Sequence, residues 1–273
     1  MPHAWPVTDL SAALAPLLPG LGVEVVAEID STNTELMRRA RAGDTAPVLL
    51  VAERQTAGRG RLGRSWSIQG VEPGTQAVSL MFSLGLPFAP RDWSGLSLAV
   101  GVSVADGIDP GGAAGVRLKW PNDLWMADDR KLAGILIETA SAVSGNGTGA
   151  GAPRQLVIGI GINIGPRDAQ GLRAPPAWVR EWRPDASAAD VLRDIAVALV
   201  RDVQSFGARG LAPFAERFAA RDALRGREVD LSDGTTGQCE GIGWDGELRV
   251  RTADGLRSIV SSDISVRPRR AGD

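Results

Sequence analysis

The chain has 273 residues, 44% hydrophobic and 23% charged, with a formal net charge of −2. That length suits one core domain with a modest appendage, the slightly acidic balance argues against a chain-wide nucleic-acid surface, and no apolar run approaches the roughly 20 residues of a membrane helix. The first residues show no secretory signal and the single cysteine, Cys239, cannot form an internal disulfide, so a cytoplasmic protein is expected.

In chain order, residues 23–29 read as a strand, and Asp30-Ser31-Thr32-Asn33 supplies N-cap candidates for a helix running to Ala42 and stopped by Gly43. A short β-rich run follows at 48–53, then a loop at 54–70 and a strand at 77–84. Residues 92–107 have helical periodicity. Strands are expected at 116–119 and 132–139, around Pro121-Asn122-Asp123, and a Gly-rich tract at 144–153 reads as a hairpin tip before a strand at 155–164. Hairpin-adjacent strands without strict βαβ alternation indicate an α+β sheet. From Ala188 to about Asp222 the pattern is helical, with Leu192, Ile195, Leu199 and Val203 on one face. After Gly226 short strand-like pieces separated by Asp233-Gly234, Asp245-Gly246 and Asp254-Gly255 predict a small β-barrel. The expected division is a catalytic domain at 1–224 and a C-terminal barrel at 225–273.

The composition also limits the chemistry. With one histidine, His3, one cysteine and no tyrosine, neither a histidine-based triad nor a His/Cys zinc site fits within the chain. Carboxylate, Lys, Arg, backbone amides and an oxygen-bound metal remain, which is the toolkit of phosphoryl and acyl-phosphate chemistry. Lys119 and Lys131 are the only two lysines among the 30 basic residues. Where arginine serves every other basic position, a retained lysine points to a compact charge in a tight pocket.

Gly58-Arg59-Gly60-Arg61-Leu62-Gly63-Arg64-Ser65-Trp66 matches a dinucleotide fingerprint literally, but no helix opens after it to receive a pyrophosphate. A mobile loop that wraps an anion with guanidinium forks fits better than a solvated arginine loop, because Trp66 has little reason to end a purely solvated run. Lys119-Trp120-Pro121-Asn122-Asp123, then Lys131 to Glu138 with Gly134, gathers both lysines at strand edges, with oxygens on Asn122 and Asp123 within reach of Mg²⁺. Trp120-Pro121 itself reads as a rigid turn with a packing anchor. In Gly159-Ile160-Gly161-Ile162-Asn163, Asn163 is the unusual residue.

Taken together, Ser31-Thr32-Asn33, Gln55, the Gly58–Trp66 loop, Lys119–Asp123, Lys131–Glu138 and Gly159–Asn163 resemble the biotin protein ligases. The resemblance implies a mixed-sheet catalytic domain related to class II aminoacyl-tRNA synthetases, followed by an SH3-like barrel. It implies substrates biotin and ATP, with Mg²⁺ present but no residue singled out as its ligand, and two half-reactions: formation of biotinyl-5′-AMP, then transfer to a lysine of a biotin carboxyl carrier domain.

Carried over by position, Ser31, Thr32, Asn33 and Gln55 would bind the ureido ring. Arg59, Gly60 and Arg61 would fold over biotin and the phosphates, and Lys131, beside Gly134, would meet the biotin carboxylate and the α-phosphate. Trp66 would pack on the adenine side, with Arg64, Lys119, Asn122, Asp123 and Asn163 lining the nucleotide region. The residues expected to act in catalysis are Arg59, Arg61, Lys119, Asp123 and Lys131. Only 29 residues precede Asp30, too few for a winged helix-turn-helix, so no DNA partner is expected, nor a membrane; a monomer or weak homodimer is. Where the family usually shows a Gly-Glu pair, the barrel of this chain ends Ser261-Ser262-Asp263-Ile264-Ser265-Val266-Arg267. Lipoate ligase is the rival enzyme, and a non-catalytic nucleotide-binding regulator the rival from another class.

Overall fold

The computed structural model describes residues 5–66, 78–141, 153–260 and 264–269; His3, the tract 144–152 and Ser261–Asp263 lie outside the described residues. Helix α1 (Val7–Leu14), which no sequence pattern announced, buries Leu10 and Leu14. Strands β1 (Gly22–Ile29) and β2 (Val48–Gln55) pair in parallel, joined by helix α2 (Thr32–Arg41). Ser31 caps α2 by accepting the Thr34 N–H, and the chain leaves the helix through Gly43, at φ +90°.

Strand β3 (Ser79–Phe88), helix α3 (Leu96–Ile108) and strands β4 (Val116–Lys119), β5 (Asp123–Met126), β6 (Lys131–Ser141) and β7 (Arg154–Asn163) complete a seven-stranded sheet ordered β1-β2-β3-β7-β6-β5-β4. Every pairing beyond β1–β2 is antiparallel, so the mixed α+β sheet expected from sequence is present. Strand β5 was not anticipated: Lys119 pairs with Asp123, which leaves Trp120-Pro121-Asn122 as the hairpin tip and turns 123–126 back into the sheet.

The two faces of the sheet differ in texture. On β7, Ile158, Ile160 and Ile162 belong to the main apolar cluster with α3 and helix α4 (Ala188–Arg209). The alternate residues Gly159, Gly161 and Asn163 face the other way, because successive strand side chains point to opposite sides. One face is thus packed on α3 and α4, while the other carries α2 over Val48, Leu50 and Val157 and beyond them is shallow and polar.

Helix α4 buries the predicted Leu192, Ile195, Leu199 and Val203. The expected continuation to Asp222 is interrupted: α4 stops at Gly210, at φ +64°, and Pro213 precedes a separate helix α5 (Ala215–Arg221). Proline lacks the amide hydrogen that an uninterrupted helix would use. Strands β8 (Glu228–Leu231), β9 (Thr236–Ile242), β10 (Leu248–Thr252), β11 (Gly255–Ile259) and β12 (Val266–Pro268) form a second, antiparallel sheet ordered β11-β10-β9-β8-β12, as suits an SH3-like unit. Its first three turns fall at the three Asp-Gly pairs. Trp120 is buried and donates its Nε1–H to Gly246 O at 2.9 Å, so the packing anchor read from sequence ties the two sheets together.

Candidate active site

A cavity of about 860 Å³ opens on the polar face of the large sheet. Ser31, Thr32, Asn33, Gln55, Arg59, Gly60, Arg61, Arg64, Trp66, Lys119, Asn122, Asp123, Lys131, Gly134 and Asn163 all line it, so the fold brings every candidate residue to one place.

One end is built at the start of α2. Ser31, Thr32 and Asn33 are buried, and Thr32 N–H donates to Gln55 Oε1 at 2.7 Å. Ser83 Oγ stands 2.7 Å from Thr32 Oγ1 and 2.6 Å from Asn33 Oδ1. Asn33 Nδ2 donates to Leu136 O and to Glu138 Oε2. With both amide hydrogens committed, Asn33 has only a lone pair on Oδ1 to offer a ligand. The floor must be glycine here: a Cβ on Gly159 would lie 2.1 Å from Asn33 Oδ1.

The Gly58–Trp66 loop bends back across the cavity through an Arg59–Ser65 bridge. Arg59 reaches Glu138, and Arg61 donates to Asn122 Oδ1 at 3.3 Å. The Trp66 ring lies on the glycine floor, where a Cβ on Gly161 would sit 2.5 Å from Cε2. Lys131 Nζ is 5.6 Å and the Arg167 guanidinium 5.3 Å from the ring centroid. Trp66 Nε1 is buried and has no hydrogen-bond partner among the described residues.

At the centre Lys131 Nζ donates to Asp123 Oδ1 at 2.7 Å. Burial pushes the Asp123 carboxyl up, but the ammonium groups of Lys131 and Lys119 outweigh it and hold the group below the usual carboxylate range. Lys119 is 7% exposed, lies 4.8 Å over the Trp125 ring and makes no hydrogen bond among the described residues. Burial, reinforced by Lys131, Arg64 and Arg61 and opposed by Asp123, brings its amine down to about 8. Arg64 is likewise lowered by burial, and then by Arg173 and Arg267. Basic groups set against one another across a cavity favour a ligand with several negative charges.

The profile of the biotin/lipoate A/B protein ligase family matches residues 25–163. The bifunctional ligase/repressor BirA of Escherichia coli K12 is 34% identical over 262 residues, spanning 92% of this chain and 75% of that protein. The chain belongs to the biotin/lipoate A/B protein ligase family. The biotin–[acetyl-CoA-carboxylase] ligase of Paracoccus denitrificans, another similar protein, is 32% identical and is spanned over 98% of its length. A biotin protein ligase from Aquifex aeolicus, solved in complex with biotin and ATP, superposes with a TM-score of 0.73 at 26% identity, covering 90% of this chain and 99% of that one.

Several residues of this family member at the site were not singled out from sequence. Ser83 supports the α2 end and Glu138 receives the loop, while Arg167 bonds Asn163 Oδ1 at 2.9 Å and covers Trp66. Arg267 and its neighbours on β12 bring the second sheet to the cavity wall. Ser83 and Glu138, polar residues inside otherwise apolar strands, were the visible clues. Arg167 and Arg267 sit in no local pattern.

Proposed function

We propose that the protein is a biotin protein ligase that activates biotin on ATP and transfers it to a lysine of a biotin carboxyl carrier domain. The observation that carries this reading is the convergence of the Lys131–Asp123 pair, the buried Lys119 ammonium and the arginine loop on a single cavity whose other end is lined with small polar groups. A vitamin with a polar ring at one end and a carboxylate at the other matches that layout.

In the first half-reaction a biotin carboxylate oxygen attacks the α-phosphorus, the bond to the β-phosphate bridge breaks, and pyrophosphate leaves. Two anions must be brought together, and Lys131 supplies a compact cation for their meeting point while Asp123 fixes its direction. Lys119, Arg61 and Arg64 would hold the phosphates, and the flat face of Trp66 would wall the adenylate. In the second half-reaction the acceptor ε-amine attacks the biotinyl carbonyl, AMP leaves, and an amide forms with loss of a proton. Closure of the Gly58–Trp66 loop would keep water from the mixed anhydride until the acceptor arrives.

Mg²⁺ would accompany the nucleotide. Among the described residues no three His, Cys, Asp or Glu side chains cluster, and Mg²⁺ bound largely by phosphates and water needs no such cage. Asp123 is the carboxylate suited to hold it, and the ion would neutralise phosphate charge. We assign 1–224 to catalysis and 225–273 to the appended sheet.

Biotin-dependent exchange of labelled pyrophosphate into ATP by the purified chain tests the reading. Exchange with biotin and none with lipoate is expected. Exchange with lipoate instead would make the protein a lipoate ligase, and none with either would reject acyl adenylation.

A further inference from the structure

We infer that Glu138 is the latch of the arginine loop, and that it couples occupancy of the polar end of the cavity to closure over the phosphate end. The inference rests on the ligase reading for its consequence in turnover, but its geometry stands without it.

Glu138 projects from β6 on the same face as Gly134 and Leu136, four and two residues away. Its carboxylate receives both prongs of the Arg59 guanidinium, at 2.9 Å to Oε1 and 3.3 Å to Oε2. The same Oε2 accepts Asn33 Nδ2 at 3.0 Å. One carboxylate therefore joins the loop to the first turn of α2. Asn33 is in turn fixed by Ser83 and Leu136 O, so any ligand that pulls on its amide changes what Glu138 offers to Arg59.

The sequence around Arg59 makes this attachment matter. Gly58 and Gly60 flank it, and the Arg59–Ser65 bridge only closes the loop on itself. The loop is also attached to the large sheet through Arg61 on Asn122 and through the Trp66 ring over Gly161, but among the described residues it is Arg59 that meets the carboxylate shared with Asn33. A bidentate arginine–carboxylate pair fixes direction as well as distance, which an ammonium would not. The Arg59 side chain is 47% exposed and that of Glu138 21%, so water screens the pair enough for it to open and reclose. Glu138 is thus a positioning residue that acts through Arg59 and Asn33.

The test uses the full chain and the variants Glu138→Gln, Arg59→Gln and the double variant. Trypsin cleavage after Arg61, followed by mass spectrometry without ligand, reads the latch independently of any activity. Each single variant should be cut roughly tenfold faster, as expected for loss of a charge-assisted pair, and the double variant no faster than either single. In the presence of biotin and ATP, Glu138→Gln should release adenylate faster by a similar factor, with an unchanged melting temperature. Unchanged cleavage, or single effects that add in the double variant, would overturn the latch. If Glu138→Gln melts earlier and all its tryptic sites open together, Glu138 is a structural residue only and the inference fails. Absence of biotin-dependent pyrophosphate exchange in the unmutated chain would sink the ligase reading and leave the cleavage result to judge the latch alone.

Discussion

Lys119 is an ammonium held in a buried place with no hydrogen bond among the described residues, which is costly unless an anion arrives. Its folded value of about 8 lies below the ordinary 10.5, so between those limits the unfolded chain binds more protons and stability rises with pH. Below pH 8 the full penalty applies, and Lys119→Met should stabilise the empty protein at neutral pH by up to about 3 kcal/mol while weakening nucleotide binding. For binding the sign reverses: the protonated amine attracts phosphate, so ATP affinity should be flat below pH 8 and fall by up to roughly tenfold per unit above it. Calorimetric titration across that range checks this, and a break that persists in Lys119→Met would assign it elsewhere. Gly161→Ala would force Trp66 off the floor, since the new methyl would lie 2.5 Å from the ring. Adenylation should drop by about a hundredfold, the scale of a one-ångström misplacement, with the fold intact by circular dichroism. The site was legible at this scale because its types are rare here: two lysines, alternating Gly and Arg, and an asparagine among isoleucines. Glu138 stood out only as a polar residue in an apolar strand, and its pairing with Arg59 was not legible, because the two are 79 residues apart and no local spacing records it.

Among the elements, hydrophobic periodicity fixed the face of α4 but not its end. Gly210 and Pro213 stop the helix, while Phe214 and Phe218 on the far side are buried in the same core and so prolong the apolar pattern across the break. Strand β5 was missed for a related reason: four residues after a tight tip hold too few alternations to register, and only pairing with β4 and β6 makes them a strand. The start of α4 was local and therefore readable. Ser187 Oγ accepts the Asp190 N–H at 3.1 Å and Asp190 Oδ2 accepts the Ser187 N–H, a reciprocal cap. Ser187→Ala should cost about 1 kcal/mol in urea unfolding, with pyrophosphate exchange unchanged. The Ser187 hydroxyl is also the main cause holding Asp190 below the usual carboxylate range. That contribution is present above the ordinary carboxylate value and fades as the pH falls through the lowered one, so in acid the gap between variant and parent should narrow to what the Asp190 N–H cap alone supplies.

For the molecule as a whole, the question is whether the second sheet is a passenger. One apolar cluster runs from Leu10 through α3 and α4 to Val229, Cys239, Val250 and Val266 without a gap. Polar ties reinforce it: Trp120 to Gly246 O, and the Arg227 fork on Asp129 at 2.6 and 2.8 Å. A sheet this small buries little core alone, so its stability should be borrowed across that boundary. Cys239 offers a direct reading, because it is the sole cysteine and is 1% exposed in the second sheet. Burial pushes its thiol up to about 12, which makes it doubly unreactive while folded. In a urea series, thiol labelling of Cys239 should begin at the same midpoint as the loss of helical circular dichroism, which reports α3 and α4. Trp120→Phe removes the bond to Gly246 and leaves a buried carbonyl unpaired, and should move both midpoints down together by about 1–3 kcal/mol. Labelling at a lower urea concentration than helix loss would mean that the sheets unfold separately. The wall that β12 gives the cavity would then be made and lost independently of the catalytic sheet.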